Sequence, residues 1–164
     1  MLALRLVYVL ALAVWLGGMT MLGAVVAPTI FQTLQAADPG SGRALAGLAF
    51  AAILTRFHLV AYGCGAVLLL ALFTRAVLGP RPRHFALRFA IATVMVAAAL
   101  YSGLVVSQQI AGVQRAIGPG VAASSLPDGD PRRAAFGRLH ALSTLVQLVP
   151  LVGGMVLLGM EATD

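Results

Sequence analysis

Four long apolar stretches dominate this chain and constrain its fold more than any other feature of the sequence. They cover about residues 4–27, 43–78, 85–115 and 131–160. Each is long enough to cross a bilayer as a helix, since about 20 apolar residues at roughly 1.5 Å per residue suffice. Only 10% of the residues are charged, whereas about a quarter are charged in a soluble domain. We therefore predict an all-α integral membrane protein in which residues 1–164 form one bundle of four transmembrane helices.

Prolines mark two of the helix boundaries. Pro28 is expected to end or kink helix 1, with residues 29–37 forming a short amphipathic piece before a turn at residues 38–42. Before helix 4, Asp130 and Pro131 are typical of a capped helix start.

Arginines are concentrated around loop 2, where no acidic residue lies among Arg75, Arg81, Arg83 and Arg88. Arginines at helix ends bind lipid phosphates and favour the cytoplasmic side. This pattern predicts an integral membrane protein with loop 2 and both termini in the cytoplasm, although Arg132 and Arg133 at the start of helix 4 argue against that orientation. Because the basic residues are spread over separate helix ends, they form no concentrated basic face for nucleic acid.

The two halves of the chain share short motifs at nearly constant spacing. Residues 4–6 and 87–89 both place an arginine between apolar residues, 83 positions apart. Residues 56–58 and 138–140 both place a histidine two residues after an arginine, 82 positions apart. Two tandem helical hairpins related by an axis along the membrane normal would explain this agreement. Chance similarity in a chain rich in leucine, alanine and valine is the other explanation.

Helices 2 and 4 each carry a histidine, His58 and His140, which we expect at similar depth in the membrane. Helical spacing adds further polar residues to the same half of the bundle: Thr55, Tyr62, Tyr101, Gln108, Ser143, Thr144 and Gln147. One interpretation is a metal or haem site, because imidazole binds copper, zinc and haem iron. The other is a set of hydrogen bonds between helices, which contribute about 0.6 kcal/mol each in membranes.

Helix 1 carries residues suited to close helix packing. Gly17 and Gly18 permit close approach of another helix, and Trp15 is expected to pack inside the bundle. Met19 and Met21 lie on the same helix and are soft copper ligands in one interpretation and core filling in the other.

No serine, cysteine or carboxylate is arranged as a nucleophile with a base, so we predict that the protein is not an enzyme. All five acidic residues, Glu161 among them, are expected in loops or at the chain end. This placement argues against proton-coupled transport through a buried carboxylate.

Three motifs carry a resemblance to a known family: residues 15–18 (WLGG), 27–31 (APTIF) and 136–143 (FGRLHALS). With these motifs the chain resembles the bacterial membrane family of unknown function related to human transmembrane protein 205. The resemblance implies a four-helix membrane domain and no established activity. The WLGG motif is also similar to the opening of copper resistance protein D-like domains, but helix 1 has no histidine before Trp15, which departs from that pattern.

Our first functional hypothesis is a small, non-enzymatic packing or accessory subunit without a cofactor, which forms a homo-oligomer or part of a larger membrane complex. The first alternative is a protein that binds copper or haem through His58 and His140. The second alternative is a transporter for small molecules or lipids that uses the polar stripe of helix 4.

Overall fold

A computed structural model describes residues 2–79 and 82–163 of the chain. Four long helices account for most of it: α1 (Leu2–Ala37), α2 (Gly42–Leu78), α3 (Phe85–Ile117) and α4 (Pro131–Ala162). A short 3-10 turn, Ala123–Ser125, lies in the loop before α4, and the described ranges contain no strand. The predicted all-α four-helix architecture is confirmed.

The helices run up and down, and each packs against its sequence neighbour while α4 closes the ring against α1. This arrangement brings the start of α1, the ends of α2 and α4 and the start of α3 to one end of the bundle. The opposite end carries the loop between α1 and α2 (loop 1) and the loop between α3 and α4 (loop 3). We call the first end the termini end and the second the loop end.

The outer surface is apolar, as a lipid-facing surface must be. Large side chains such as Leu2, Leu59 and Leu70 are more than 60% exposed. All four helices are long and apolar enough to cross a membrane, so the chain is an integral membrane protein.

The interior combines a few large side chains with glycines that let the helices approach closely. Trp15 is buried and lies against Gly65, where an added Cβ would come 3.3 Å from its ring. Gly154 of α4 is closer still to Leu16, since a Cβ there would lie 2.7 Å from Cδ2. Helix contact through small residues is the ordinary way to hold a membrane bundle together, because burial of apolar surface gains little in lipid.

Pro28 was expected either to end or to kink helix 1; the helix does not end there and continues to Ala37. The chain forms a π-helical turn at Leu22–Val26, in which the Ala27 N–H donates to the Leu22 carbonyl. A proline inside a regular α-helix collides with the carbonyl four residues earlier and cannot donate to it. We attribute the passage of the helix through Pro28 to the wider turn that precedes it.

Helix α3 contains a second π-helical turn, Ser102–Val106, and the Ser107 N–H donates to the Ser102 carbonyl there. The two π turns begin 80 residues apart in the chain. Each interrupts the first helix of a hairpin, which gives the tandem-hairpin hypothesis a structural observation independent of the sequence motifs.

The helix starts at the loop end follow local chemistry. Asp130 accepts a hydrogen bond from the Arg132 N–H at 2.8 Å and caps α4, as predicted. In loop 1, Asp38 accepts from the backbone N–H groups of Gly40 and Ser41 and from the Ser41 hydroxyl. These bonds close a tight turn between α1 and α2.

Candidate functional site

Glu161, which the sequence analysis expected at the chain end, is a buried residue in the last turn of α4. Glu161 is 3% exposed, and its carboxylate forms ion pairs with arginines from all three other helices. Arg5 of α1 lies 3.0 Å from Oε1, Arg75 of α2 lies 3.1 Å from the same atom, and Arg88 of α3 donates to Oε2. We call these four residues the arginine–glutamate cluster. Glu161 therefore lies near the chain end, as expected, but its carboxylate is buried, which the sequence analysis did not predict.

The same arginines also bond the backbone at the end of α4. Arg5 Nη2 donates to the Glu161 carbonyl at 2.7 Å, and Arg88 Nη2 donates to the Met160 carbonyl at 2.6 Å. The last carbonyls of a helix lack intrahelical donors and carry partial negative charge, which cations stabilise. The cluster therefore ties the end of α4 to α1 and α3 through backbone as well as side chain.

Two of the four arginines that the sequence analysis assigned to lipid phosphates or topology belong to the arginine–glutamate cluster. Arg75 and Arg88 contact the Glu161 carboxylate, and the Arg88 residue is 1% exposed. Arg83 is exposed near the start of α3, and Arg81 lies outside the described residues. Of the described members of this set, Arg83 is the one on the surface.

A second feature is a partly open cavity of about 80 Å³ that is lined by residues of all four helices and lies nearer the loop end than the cluster. We call it the central cavity. Its polar lining consists of His58 from α2, Ser102 from α3 and Gln147 from α4. Aromatic walls come from Trp15 and Phe57.

The predicted polar stripe of α4 is divided between the inside and the outside of the bundle. Ser143 is buried and Gln147 lines the central cavity, whereas His140 and Thr144 are exposed. The buried face of α4 is centred near Ser143, and at about 100° per residue His140 is rotated from it by roughly 60°. The His140 ring stacks on Phe136 with 6.3 Å between centroids, and the Thr144 hydroxyl donates to the His140 carbonyl.

His58 is 6% exposed and lies close to Tyr62 and Gly103. Its ring centroid is 6.0 Å from that of Tyr62 on the same helix. Gly103 of α3 faces both rings, since an added Cβ would lie 3.0 Å from His58 and would collide with the Tyr62 hydroxyl. Thr55, one turn before His58, is exposed and donates to the Ala51 carbonyl.

On α3 the structure brings a different residue to the interior from those that the sequence predicted. Tyr101 and Gln108 are exposed, whereas Ser102 is 1% exposed and lines the central cavity. Its Oγ has no hydrogen-bond partner among the described residues. The available signal was the regular spacing of Arg88, Met95 and Ser102 at seven-residue intervals on one face.

The residues of helix 1 named for packing have distinct environments. Trp15 is buried, and a Cβ on Gly18 would collide with the Phe57 ring. Gly17 is exposed, with nothing within 4 Å of an added Cβ. Met19 lines the central cavity, while Met21 is 55% exposed.

The arrangement limits the chemistry that the interior supports. Among the described residues, no three histidine, cysteine or acidic side chains form a group that would hold a metal ion. His58 lines the central cavity, but His140 is on the exposed side of α4. Ser102 and His58 both line the cavity, but no hydrogen bond joins the His58 ring to the Ser102 hydroxyl. In this geometry His58 does not activate the Ser102 hydroxyl as a nucleophile.

A family model gives the chain its place among known proteins. The model of the domain of unknown function DUF4149 matches residues 10–119, which include most of α1 and all of α2 and α3. Comparisons with curated proteins and with solved structures find no match. Because the family model matches more than half of the chain, the chain belongs to the DUF4149 family.

Proposed function

We propose that this chain is a small, non-enzymatic packing subunit of a membrane assembly, and that it associates with a second copy of itself through the outer face of α1. The proposal includes the bacterial inner membrane as its location, with both termini in the cytoplasm. The resemblance to the family related to human transmembrane protein 205 is compatible with a membrane domain of this kind.

The observation that carries the proposal is a stripe of small residues on the outside of α1. Ala13, Gly17 and Thr20 are all exposed and follow one another at helical spacing. The Thr20 hydroxyl donates to the Leu16 carbonyl at 2.9 Å, so the residue can turn its methyl group outward without an unsatisfied donor. We call these three residues the outer α1 stripe.

The outer α1 stripe contrasts with the glycines that the fold itself uses. A Cβ on Gly18 would collide with Phe57, and one on Gly154 would lie 2.7 Å from Leu16, whereas one on Gly17 would meet nothing within 4 Å. Two small residues four positions apart, as Ala13 and Gly17 are, let helices approach closely in lipid. The stripe therefore supports contact with a helix outside the chain.

Energy transfer between donor- and acceptor-labelled copies in liposomes tests this proposal. We expect transfer for the native chain and its loss for Gly17→Ile, because a branched side chain keeps the helices apart. Gly63→Ile is the matched control, since Gly63 is an exposed glycine of α2 that also has nothing within 4 Å of an added Cβ. A native chain without transfer, or equal transfer in both variants, would refute the proposal.

The metal or haem alternative has less support, because His140 is exposed while His58 is buried beside the central cavity. The transporter alternative keeps one supporting observation, since Gln147 of the α4 stripe lines that cavity.

A further inference from the structure

The central cavity has a polar side chain that is built into the bundle and has no partner. Ser102 is 1% exposed, and its Oγ has no hydrogen-bond partner among the described residues. A buried hydroxyl without a partner is destabilising, because its hydrogen bonds to water are lost and not replaced. Ser102 is among the residues that line the cavity, but its Oγ is almost inaccessible to water in this packing. A molecule in the cavity can satisfy the hydroxyl once the Ser102 side chain rotates toward it.

The neighbouring lining adds both donors and acceptors. The Gln147 amide supplies one of each, and the His58 imidazole supplies a ring nitrogen. Pro150 of α4 has no N–H, so the Val146 carbonyl lacks its usual helical donor. Both Val146 and Pro150 are among the residues that line the cavity, so this carbonyl is a candidate acceptor beside it.

Among residues 2–79 and 82–163, none that lines the cavity is acidic, lysine or arginine. An ionic ligand would therefore be buried without a counter-charge, which is costly. The ligand that fits these walls is neutral and has at least one donor and one acceptor.

The volume limits the size of the occupant. About 80 Å³ corresponds to two or three water molecules at roughly 30 Å³ each, and to about half of an engineered cavity of roughly 150 Å³ that admits benzene. A ring compound is too large for this space, whereas a molecule of a few heavy atoms fits.

We propose that the central cavity is a binding site for a small neutral molecule that both donates and accepts hydrogen bonds, of the class of short primary amides and alcohols, held by Ser102, His58 and Gln147. The molecule displaces water from the cavity and bonds the Ser102 hydroxyl. Several hydrogen bonds to so small a ligand give affinity on the order of millimolar.

Trp15 makes this proposal testable without a label, because it is the chain's one tryptophan and lines the cavity. The experiment titrates acetamide into the purified full chain in detergent and follows Trp15 fluorescence. We expect a saturable change for the native chain and roughly three- to ten-fold weaker binding for Ser102→Ala, the effect of one lost hydrogen bond.

Ser143→Ala is the matched control, since Ser143 is a buried serine of α4 outside the cavity lining. It should bind acetamide like the native chain, and Gln147→Leu should bind more weakly. Benzamide, which is too large, should give no saturable change. A linear response shared by all variants would overturn the proposal, as would saturation by xenon but not by acetamide, which would identify a dry apolar void.

Discussion

Replacement of Glu161 by glutamine is the most direct test of how the bundle is held together. The substitution keeps the side-chain shape and leaves the backbone carbonyls that Arg5 and Arg88 contact. It therefore removes the negative charge and little else. We expect the variant to fold with the same helix content and to be much less stable.

The magnitude depends on how deeply each arginine is buried. The Arg5 side chain is 42% exposed, so its pair with Glu161 contributes about 0–1 kcal/mol at most. The side chains of Arg75 and Arg88 are 13% and 1% exposed. Removal of one partner from a buried ion pair costs about 3–5 kcal/mol, and we expect Glu161→Gln to lose stability in that range.

Reversible unfolding by sodium dodecyl sulfate in mixed micelles, followed by circular dichroism, measures this loss. Asp128→Asn is the control, because Asp128 lies 2.6 Å from Arg133 but its side chain is 94% exposed. It should cost less than about 0.5 kcal/mol. In the double variant Arg88→Met with Glu161→Met, the two most deeply buried charges are gone, and stability should partly recover even though Arg75 loses its carboxylate partner. A Glu161→Gln variant within about 1 kcal/mol of the native chain would refute the reasoning.

Two further predictions concern loop 1 and the start of α2. Gly42→Ala should destabilise the chain by about 1–3 kcal/mol in the same unfolding assay, because a Cβ there would collide with the Leu34 carbonyl. Gly47→Ala, with nothing within 4 Å, should instead be neutral or stabilising by up to about 1 kcal/mol. Hydrogen bonds lower the pKa of Asp38 below its usual 3.8, with the largest effect from the Ser41 hydroxyl and smaller ones from backbone N–H groups. The turn is therefore stabilised above that pH and loosens as the pH falls through the lowered value. Carbon-13 NMR of the Asp38 carboxyl should show a midpoint below 3.8 that rises in Ser41→Ala.

The four helices and their order could be predicted from the sequence, because hydropathy and length suffice to recognise a membrane span. The direction in which each helix face points was much harder to read. In lipid the outside of a bundle is as apolar as the inside, so hydrophobic periodicity carries little information. The exposed His140 and the buried Ser143, three residues apart on α4, illustrate this limit.

Two features that the sequence analysis did not predict, the burial of Glu161 and the passage of α1 through Pro28, have specific physical causes. Glu161 lies near the chain end, as expected, but its burial was missed. Pro150, Gly154 and Leu157 precede it at intervals of four, three and four residues, and all four are buried. That spacing was the available signal. At Pro28, by contrast, the π turn that carries α1 onward depends on backbone hydrogen bonds that leave no recognisable pattern in the sequence.

The arginine–glutamate cluster also has a consequence for biogenesis. Arg5, Arg75 and Arg88 all precede Glu161 in the chain, so they leave the ribosome and reach the membrane before their shared carboxylate exists. During insertion their charges are available to hold that end of each hairpin on one side of the bilayer. When α4 inserts, its last turn brings the Glu161 carboxylate to these three arginines. The ion pairs that then form join all four helices, so they can form only after the whole chain has inserted.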